Sequence, residues 1–496
     1  MFDVPSEGPH LDQLKGPKSY GQLARKAARG AAALGIRQVL TYGVNILGGV
    51  VLARMLSPSE FGFYAIVSLL LAFLNIFGGT GFAADLIRVS DEPTLQAYRA
   101  VFTAQQMIVG AACVAVWLAA PEISMLYNQH QNGALFFRLT AVSLMLTSLM
   151  VIPQVRMERQ LAFEKLALIE VCQAISFNAV AILLAWRGFG ILAFAIGLVA
   201  RSAVGAILAN IISPWAVGFH LNHRGLKSHV AFGITLQGGQ VLSMVKDSIN
   251  PLFVGMFLGA AQMGYATWAM TFASYPALLL VPVQRLYLPF FARLQDDPRG
   301  LSLFVPRALW IANVILAPLT IFSVVVARPI TSIVFGEKWL VALPLFYCLS
   351  AVNLSASSST VLLGLLNALG KPRLSLRVIF LAMVATWLLG VPLIIYFGLI
   401  GFGLAVFGSS LVNIYLFWLV WKETGVSPLR SYWPAWPLSL LMGALILIAQ
   451  RVAPIHTIPT LLIYSIAAFV TYSAALWYGF SVETQSWIRL LRSIRS

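Results

Sequence analysis

The stretch VVLARMLSPSEFGFYAIVSLLLAFL, residues 50–74, holds the pattern that decides the fold. A polar island, Ser57-Pro58-Ser59-Glu60, separates two apolar runs at about 31–54 and 62–84. Pro58 suits the first turn of a helix, where a missing N–H costs nothing, and Glu60 meets the positive end of the helix dipole. Each flanking run is about the 20 residues that an apolar helix needs to cross hydrocarbon. Working outward, similar runs recur at about 100–120, 134–154, 164–186, 189–212, 230–253, 262–284, 303–326, 340–366, 376–397, 399–420, 435–453 and 457–479. Together they predict an all-α polytopic membrane protein of about 14 transmembrane helices, with little chain left over for a soluble catalytic domain.

The basic residues assign the two sides. Loops on the cytoplasmic side carry the excess of Lys and Arg. With the N-terminus inside, 24 of the 33 basic residues fall at the N-terminus, the C-terminus and every second gap, six at the opposite gaps, and Arg37, Arg201 and Lys246 within spans. A miscounted helix would scramble that alternation. Both termini are therefore expected in the cytoplasm, with the chain crossing the membrane many times between them. The net charge of +16 is spread over short membrane loops. There it suits anionic lipid heads rather than nucleic acid.

A second junction, GMFLGAAQMGYATWA (255–269), follows the seventh run as ARMLSPSEFGFYAIV (53–67) follows the first. At an offset of 202 residues Leu56 meets Leu258 and Gly62 meets Gly264, each glycine followed by an aromatic. The repeat predicts two six-helix bundles around a central cavity plus two extra C-terminal helices. The chain then divides into a basic cytoplasmic segment (1–30), an N-terminal bundle (31–212), a cytoplasmic linker (213–229), a C-terminal bundle (230–421), transmembrane helices 13 and 14 (422–480) and a basic cytoplasmic tail (481–496). Paired bundles of this kind suit alternating access by rocking.

GVVLARMLSPSEFGFYAIV (49–67), behind the basic ARKAARG lead-in, resembles the start of Wzx-type polysaccharide flippases. These form the polysaccharide transporter family of the multidrug/oligosaccharidyl-lipid/polysaccharide exporter superfamily. VKDSINPLFVGMFLGAAQMGYATWAM (245–270) is similar to the same family in carrying an Asp late in helix seven ahead of a Gly-containing turn. The resemblance implies a protein that moves a polyprenyl-diphosphate-linked oligosaccharide repeat unit from the inner to the outer leaflet for exopolysaccharide or other surface polysaccharide synthesis. It also implies membrane lipids, a polysaccharide polymerase and export machinery as partners.

Ionisable groups within spans cost about 2.5–3.5 kcal/mol each on insertion scales, so they face interiors and act there. The substrate-cavity candidates are Arg37, Asn45, Arg201, Lys246, Asp247 and Asn250. Arg37 and Asn45 share one face of the first helix; the competing reading of Arg37 is snorkelling to the headgroups. Lys246 and Asp247 are adjacent and so do not face each other on a helix. Arg201 could instead pair with Glu170. Pro276 and Pro282 are gate candidates in helix eight, since proline bends a helix beside a cavity. Tryptophans near span ends, among them Trp310, Trp339, Trp433, Trp436 and Trp477, read as interfacial anchors.

Six scattered histidines and three unpaired cysteines offer no metal site. No phosphate-binding Gly-Lys-Ser/Thr loop marks nucleotide hydrolysis, so no cofactor is expected. A multidrug or cation exporter of the same superfamily is the first rival, but it would want cavity carboxylates, and the 17 acids lie mostly in loops. A membrane glycan polymerase or glycosyltransferase is the second. It would want a long outer loop or an acidic metal-binding motif, and the outer gaps show neither. The chain is not expected to be an enzyme.

Overall fold

The computed structural model describes residues 38, 40–78, 86, 92–126, 132–160, 162–220, 250–280, 291, 294–295, 297–427, 432–433 and 435–479. Every regular element among them is helical. Nine helical stretches among the described residues are long and apolar enough to cross a bilayer, which makes this a multi-pass membrane protein. The described residues pack as two units, one containing 67–220 and the chain up to Met55, the other containing 56–66 and 250–479.

The first unit holds α1 (Leu40–Met55), most of α2 (Pro58–Gly78), α3 (Leu95–Leu126), α4 (Gly133–Ser148), α5 (Val151–Arg159), α6 (Phe163–Trp186) and α7 (Leu192–Ile212). Helix α7 lies against both α6 and α4. Its packed face is built from Ala193, Ala195, Gly197, Gly205, Ala206 and Ala209, all buried. Small side chains let helix backbones close up where lipid supplies no hydrophobic drive.

The polar island before α2 is a reciprocal cap. The Ser57 N–H donates to Glu60 Oε2 at 2.6 Å, and the Glu60 N–H donates back to Ser57 Oγ at 3.4 Å. Two otherwise unpaired backbone donors are satisfied in this way, which starts α2 at Pro58.

The second unit runs through a π-helical turn, α8 (Asn250–Leu258), then α9 (Ala260–Leu278), α10 (Pro298–Val325), α11 (Leu343–Ala368), α12 (Pro372–Ser410), α13 (Val412–Thr424), α14 (Ala435–Val452) and α15 (Ile458–Gly479). Leu309, Leu316, Leu362, Leu365 and Leu416 form its main core between α10, α11 and α13. Helices α14 and α15 pack on α10 through Met442, Ile446 and Tyr472.

Helix α12 is two helices. Gly398 has φ 58 and ψ −134, outside the helical region. A Cβ at Gly401 would collide with the Leu393 carbonyl, and one at Gly408 would lie 2.9 Å from Leu389 Cδ1. Residues eight and nineteen apart can touch only if the chain reverses, so α12 is an antiparallel hairpin turning at Gly398. The boundary expected between the runs 376–397 and 399–420 falls at that residue.

Residues 56–66 are packed inside the second unit. A Cβ at Gly62 would overlap the Ala260 carbonyl oxygen, with Gly264 N only 2.7 Å away. A Cβ at Gly264 would overlap the Pro58 carbonyl oxygen, with Gly62 N at 3.1 Å. Both matches, 58 with 260 and 62 with 264, keep the offset of 202 read from the two junctions. The contact is therefore a local two-fold, each helix start laying its glycine on the other's first-turn carbonyl. Lys338 Nζ adds a 2.7 Å bond to the Leu56 carbonyl, and Phe61 meets Trp339 edge-on at 5.3 Å.

Two aromatic expectations are corrected here. Trp339 is fully buried among Phe61, Tyr265 and Trp268. Trp436 is 6% exposed and donates its indole N–H to Asn313 Oδ1 at 2.9 Å. Both lie at span ends, as anchors do, but tertiary packing takes their rings inward. Trp433 and Trp477 remain exposed, as an interfacial anchor would be.

Candidate functional site

Four of the expected residues, Arg37, Lys246, Asp247 and Pro282, lie outside the described residues. Asn250 is the first residue of α8. Pro276 is buried two residues before the end of α9. Lacking an N–H, it leaves the Phe272 carbonyl without its helical donor. One turn earlier, Asn353 of α11 donates to the Ala273 carbonyl at 3.0 Å, bracing α9 at that level.

Arg201 sits at the middle of α7 and is exposed, as is Asn45 on α1. The expected pairing of Arg201 with Glu170 is not formed; among the described residues Arg201 has no hydrogen bond or ion pair. Its side chain leaves the edge of the packed face, where Leu198 and Gly205 lie a turn to either side. Asn45 Oδ1 accepts a 3.1 Å bond from Asn178 Nδ2, which also donates to the Ala174 carbonyl at 2.8 Å. No two of the described candidates touch each other in these contacts.

Several other polar side chains at membrane depth are spent on one another. Ser143 and Ser202 share a 2.7 Å bond between α4 and α7, and Gln106 reaches Ser148 at 2.9 Å between α3 and α4. In the second unit Asn313 bonds Ser358 at 3.4 Å, and Asn413 bonds Ser355 at 2.9 Å. An unmade bond in hydrocarbon costs several kcal/mol, so such pairs glue helices and are not open to a passing ligand. Satisfaction is what separates Arg201 from this group. Reading the sequence missed Asn178, which looks like any polar residue in a span until its neighbour is known. Its only signal was an i, i+4 spacing from Ala174, too common to carry weight.

Residues 51–344, well over half of the chain, match the family described as "Polysaccharide biosynthesis protein". The chain belongs to this family. The relatives are similar along much of their length. The lipopolysaccharide biosynthesis protein WzxC of Escherichia coli (strain K12) is 24% identical over 72% of this chain and 72% of its own. The succinoglycan biosynthesis transport protein ExoT of Rhizobium meliloti (strain 1021) is 23% identical over 61% of each chain. The teichuronic acid biosynthesis protein TuaB of Bacillus subtilis (strain 168) is 25% identical over 63% of this chain and 65% of its own. The matches to the last two span under two thirds of those proteins.

Solved structures show the same fold. The lipid II flippase MurJ in an inward closed conformation superposes with a TM-score of 0.75, covering 91% of this chain and 99% of its own at 13% identity. An inward-facing multidrug resistance MATE family transporter of the MOP superfamily reaches 0.59 over 80% of this chain and 98% of its own, also at 13% identity. The resemblance read at residues 49–67 and 245–270 thus agrees with the family match, and the fold shared with these structures covers most of the chain.

Proposed function

We propose that the protein translocates polyprenyl-diphosphate-linked oligosaccharide repeat units from the inner to the outer leaflet of a bacterial inner membrane, by alternating access, for exopolysaccharide or other surface polysaccharide synthesis. The family match over residues 51–344 carries the reading. The relatives named for lipopolysaccharide, succinoglycan and teichuronic acid synthesis support it, as does a fold closer to a lipid II flippase than to a multidrug transporter. In this reading the chain makes and breaks no covalent bond. It crosses the membrane about 14 times as two six-helix bundles and two additional helices, with both termini cytoplasmic.

The physical task fits the residues. A sugar unit with roughly ten hydroxyls would face tens of kcal/mol in bare lipid, since each unpaired hydroxyl costs several. A wet protein path removes that barrier while the polyprenyl tail stays in the bilayer. The diphosphate head wants cations, and we propose Arg201 as one of them; its exposure at mid-span with no partner among the described residues supports that role. Arg37 and Lys246 are proposed as further cations of the same path, and Pro276 and Pro282 as the gate.

The test is a deletion strain together with purified protein. Deletion should abolish one surface polysaccharide and build up its lipid-linked unit on the cytoplasmic side. Reconstituted protein should carry a labelled lipid-linked oligosaccharide across vesicles. Unchanged polysaccharides in the deletion strain, with no movement in vesicles, would overturn the reading.

A further inference from the structure

Three arginines gather at one end of the first unit, where α3 begins, α5 ends and the chain leaves α7. Arg99 lies at the start of α3, and Arg156 and Arg159 lie one turn apart on α5. After Ser213 the chain runs back across this end as an irregular strap, 213–220. Arg99 Nε donates to the Ala216 carbonyl at 3.0 Å, and Arg156 Nη1 donates to the Pro214 carbonyl. The strap is fixed further by the His220 N–H, which donates to Thr103 Oγ1 at 2.8 Å, and by Trp215 edge-on to Phe102 at 5.2 Å.

These bonds orient the Arg99 and Arg156 guanidinium groups without neutralising them. A guanidinium has five N–H donors, and a carbonyl takes one and brings no charge. Arg159 donates to the Leu86 carbonyl and lies 3.9 Å from Glu92, but that carboxylate is 82% exposed and pairs in solvent. Tyr98 stands among them. It is 5% exposed, and its hydroxyl has no hydrogen-bond partner among the described residues. It lies close enough to Glu92, Arg159 and Arg156, in that order of influence, to feel their charges. A buried unpaired hydroxyl costs about 1–3 kcal/mol unless a ligand oxygen completes it.

We infer that Arg99, Arg156 and Tyr98, with Arg159 beside them, bind the phosphate of a lipid headgroup at the cytoplasmic surface of the membrane. The alternating basic loops assign this end to the cytoplasm. A lipid is favoured over a soluble phosphate because the site lies at the ends of three spans, at headgroup level. It is distinct from the translocation candidates: Arg201 is eleven residues from the end of α7, about 16 Å along the axis at 1.5 Å per residue. A fork of N–H groups already held by carbonyls meets phosphate oxygens with little loss of side-chain freedom. The inference does not depend on what the protein carries.

The test uses the full chain in neutral detergent, titrated with dioleoyl phosphatidic acid and followed by native mass spectrometry. Phosphatidylcholine serves as the reference lipid and inorganic phosphate as the competitor. R99Q/R156Q should weaken phosphatidic acid binding about tenfold or more and Y98F about two- to fivefold, with phosphatidylcholine binding unchanged. Y98F leaves the strap bonds intact, so if R99Q/R156Q fails to fold, Y98F alone decides. Unaltered phosphatidic acid affinity in Y98F and in a folded R99Q/R156Q would overturn the site. Displacement by inorganic phosphate as strong as the lipid's own binding would overturn the headgroup as its ligand. The assay has no transport step, so a failure here leaves the translocation reading standing, and the reverse holds too.

Discussion

Gly62 and Gly264 carry the sharpest consequence at the scale of single residues. Each faces a backbone carbonyl across the contact, and a carbonyl cannot rotate away as a side chain can. Gly62→Ala and Gly264→Ala should each destabilise by about 1–3 kcal/mol, the usual cost of forcing a methyl into filled space. Because both occupy one contact, the double variant should cost less than the sum. Gly48→Ala offers the comparison, since its obstacle is the Asn178 side chain, which can move at the expense of its bond to Asn45. Thermal unfolding in detergent should rank Gly48→Ala milder than either of the others. Equal unfolding temperatures for all three would show that the crossing relaxes freely.

Arg201 makes the functional prediction at the same scale. Arg201→Glu should stop polymer export with the protein still folded and inserted, and Arg201→Lys should retain part of it, keeping the charge and losing the fork. Full export from Arg201→Glu would remove Arg201 from the path. The correspondence of Gly62 with Gly264 was legible because they stand in similar sequence surroundings, but their contact was not. Whether a polar residue in a span is spent or free was not legible either, because that depends on neighbours distant in sequence. Asn178 is 133 residues from Asn45, and Arg201 carries no local mark that Glu170 would fail to reach it.

Elements were legible where apolar length decides them and obscure where packing does. The hairpin at Gly398 is an example of the first. Two apolar runs with one glycine between them predicted a reversal, and the left-handed φ of 58 at that residue supplies it. Gly398→Ala should cost about 1–3 kcal/mol, the penalty for a Cβ in a sparsely populated backbone region that favours glycine. It should do so without abolishing insertion, as read by thermal unfolding and membrane fractionation.

The tryptophans are examples of the second. Trp339 and Trp433 both stand beside spans, yet one is fully buried and the other 64% exposed. What separates them is the aromatic cluster of Phe61, Tyr265 and Trp268, assembled from segments far apart in the chain. Trp339→Ala should therefore cost about 3–5 kcal/mol, as emptying a packed aromatic site does. Trp433→Ala should cost far less, and similar losses in the two variants would make Trp339 an ordinary surface residue.

At the scale of the whole molecule the remaining issue is what drives transport. The proposed fourteen crossings with both ends inside require a reporter fused at Ser496 to behave as cytoplasmic, and a periplasmic signal would break the alternation on which the sidedness rests. With the ends so placed, an anionic head moving outward travels down a potential that is negative inside. The potential is worth about 2.3 kcal/mol per charge per 100 mV, so two uncompensated charges would gain roughly 4–5 kcal/mol. A cation moving the other way would add to that, and Asp247 is the acid proposed to carry it. Protein in vesicles with a set potential and pH gradient, given labelled lipid-linked oligosaccharide, separates these terms. An inside-negative potential should speed outward movement and shift the final distribution outward. Asp247→Asn should remove the response to the pH gradient and leave the response to potential. If neither gradient changes rate or distribution, the driving force lies outside the protein, in removal of the flipped unit by polymerisation, and Asp247 is left with helix packing alone.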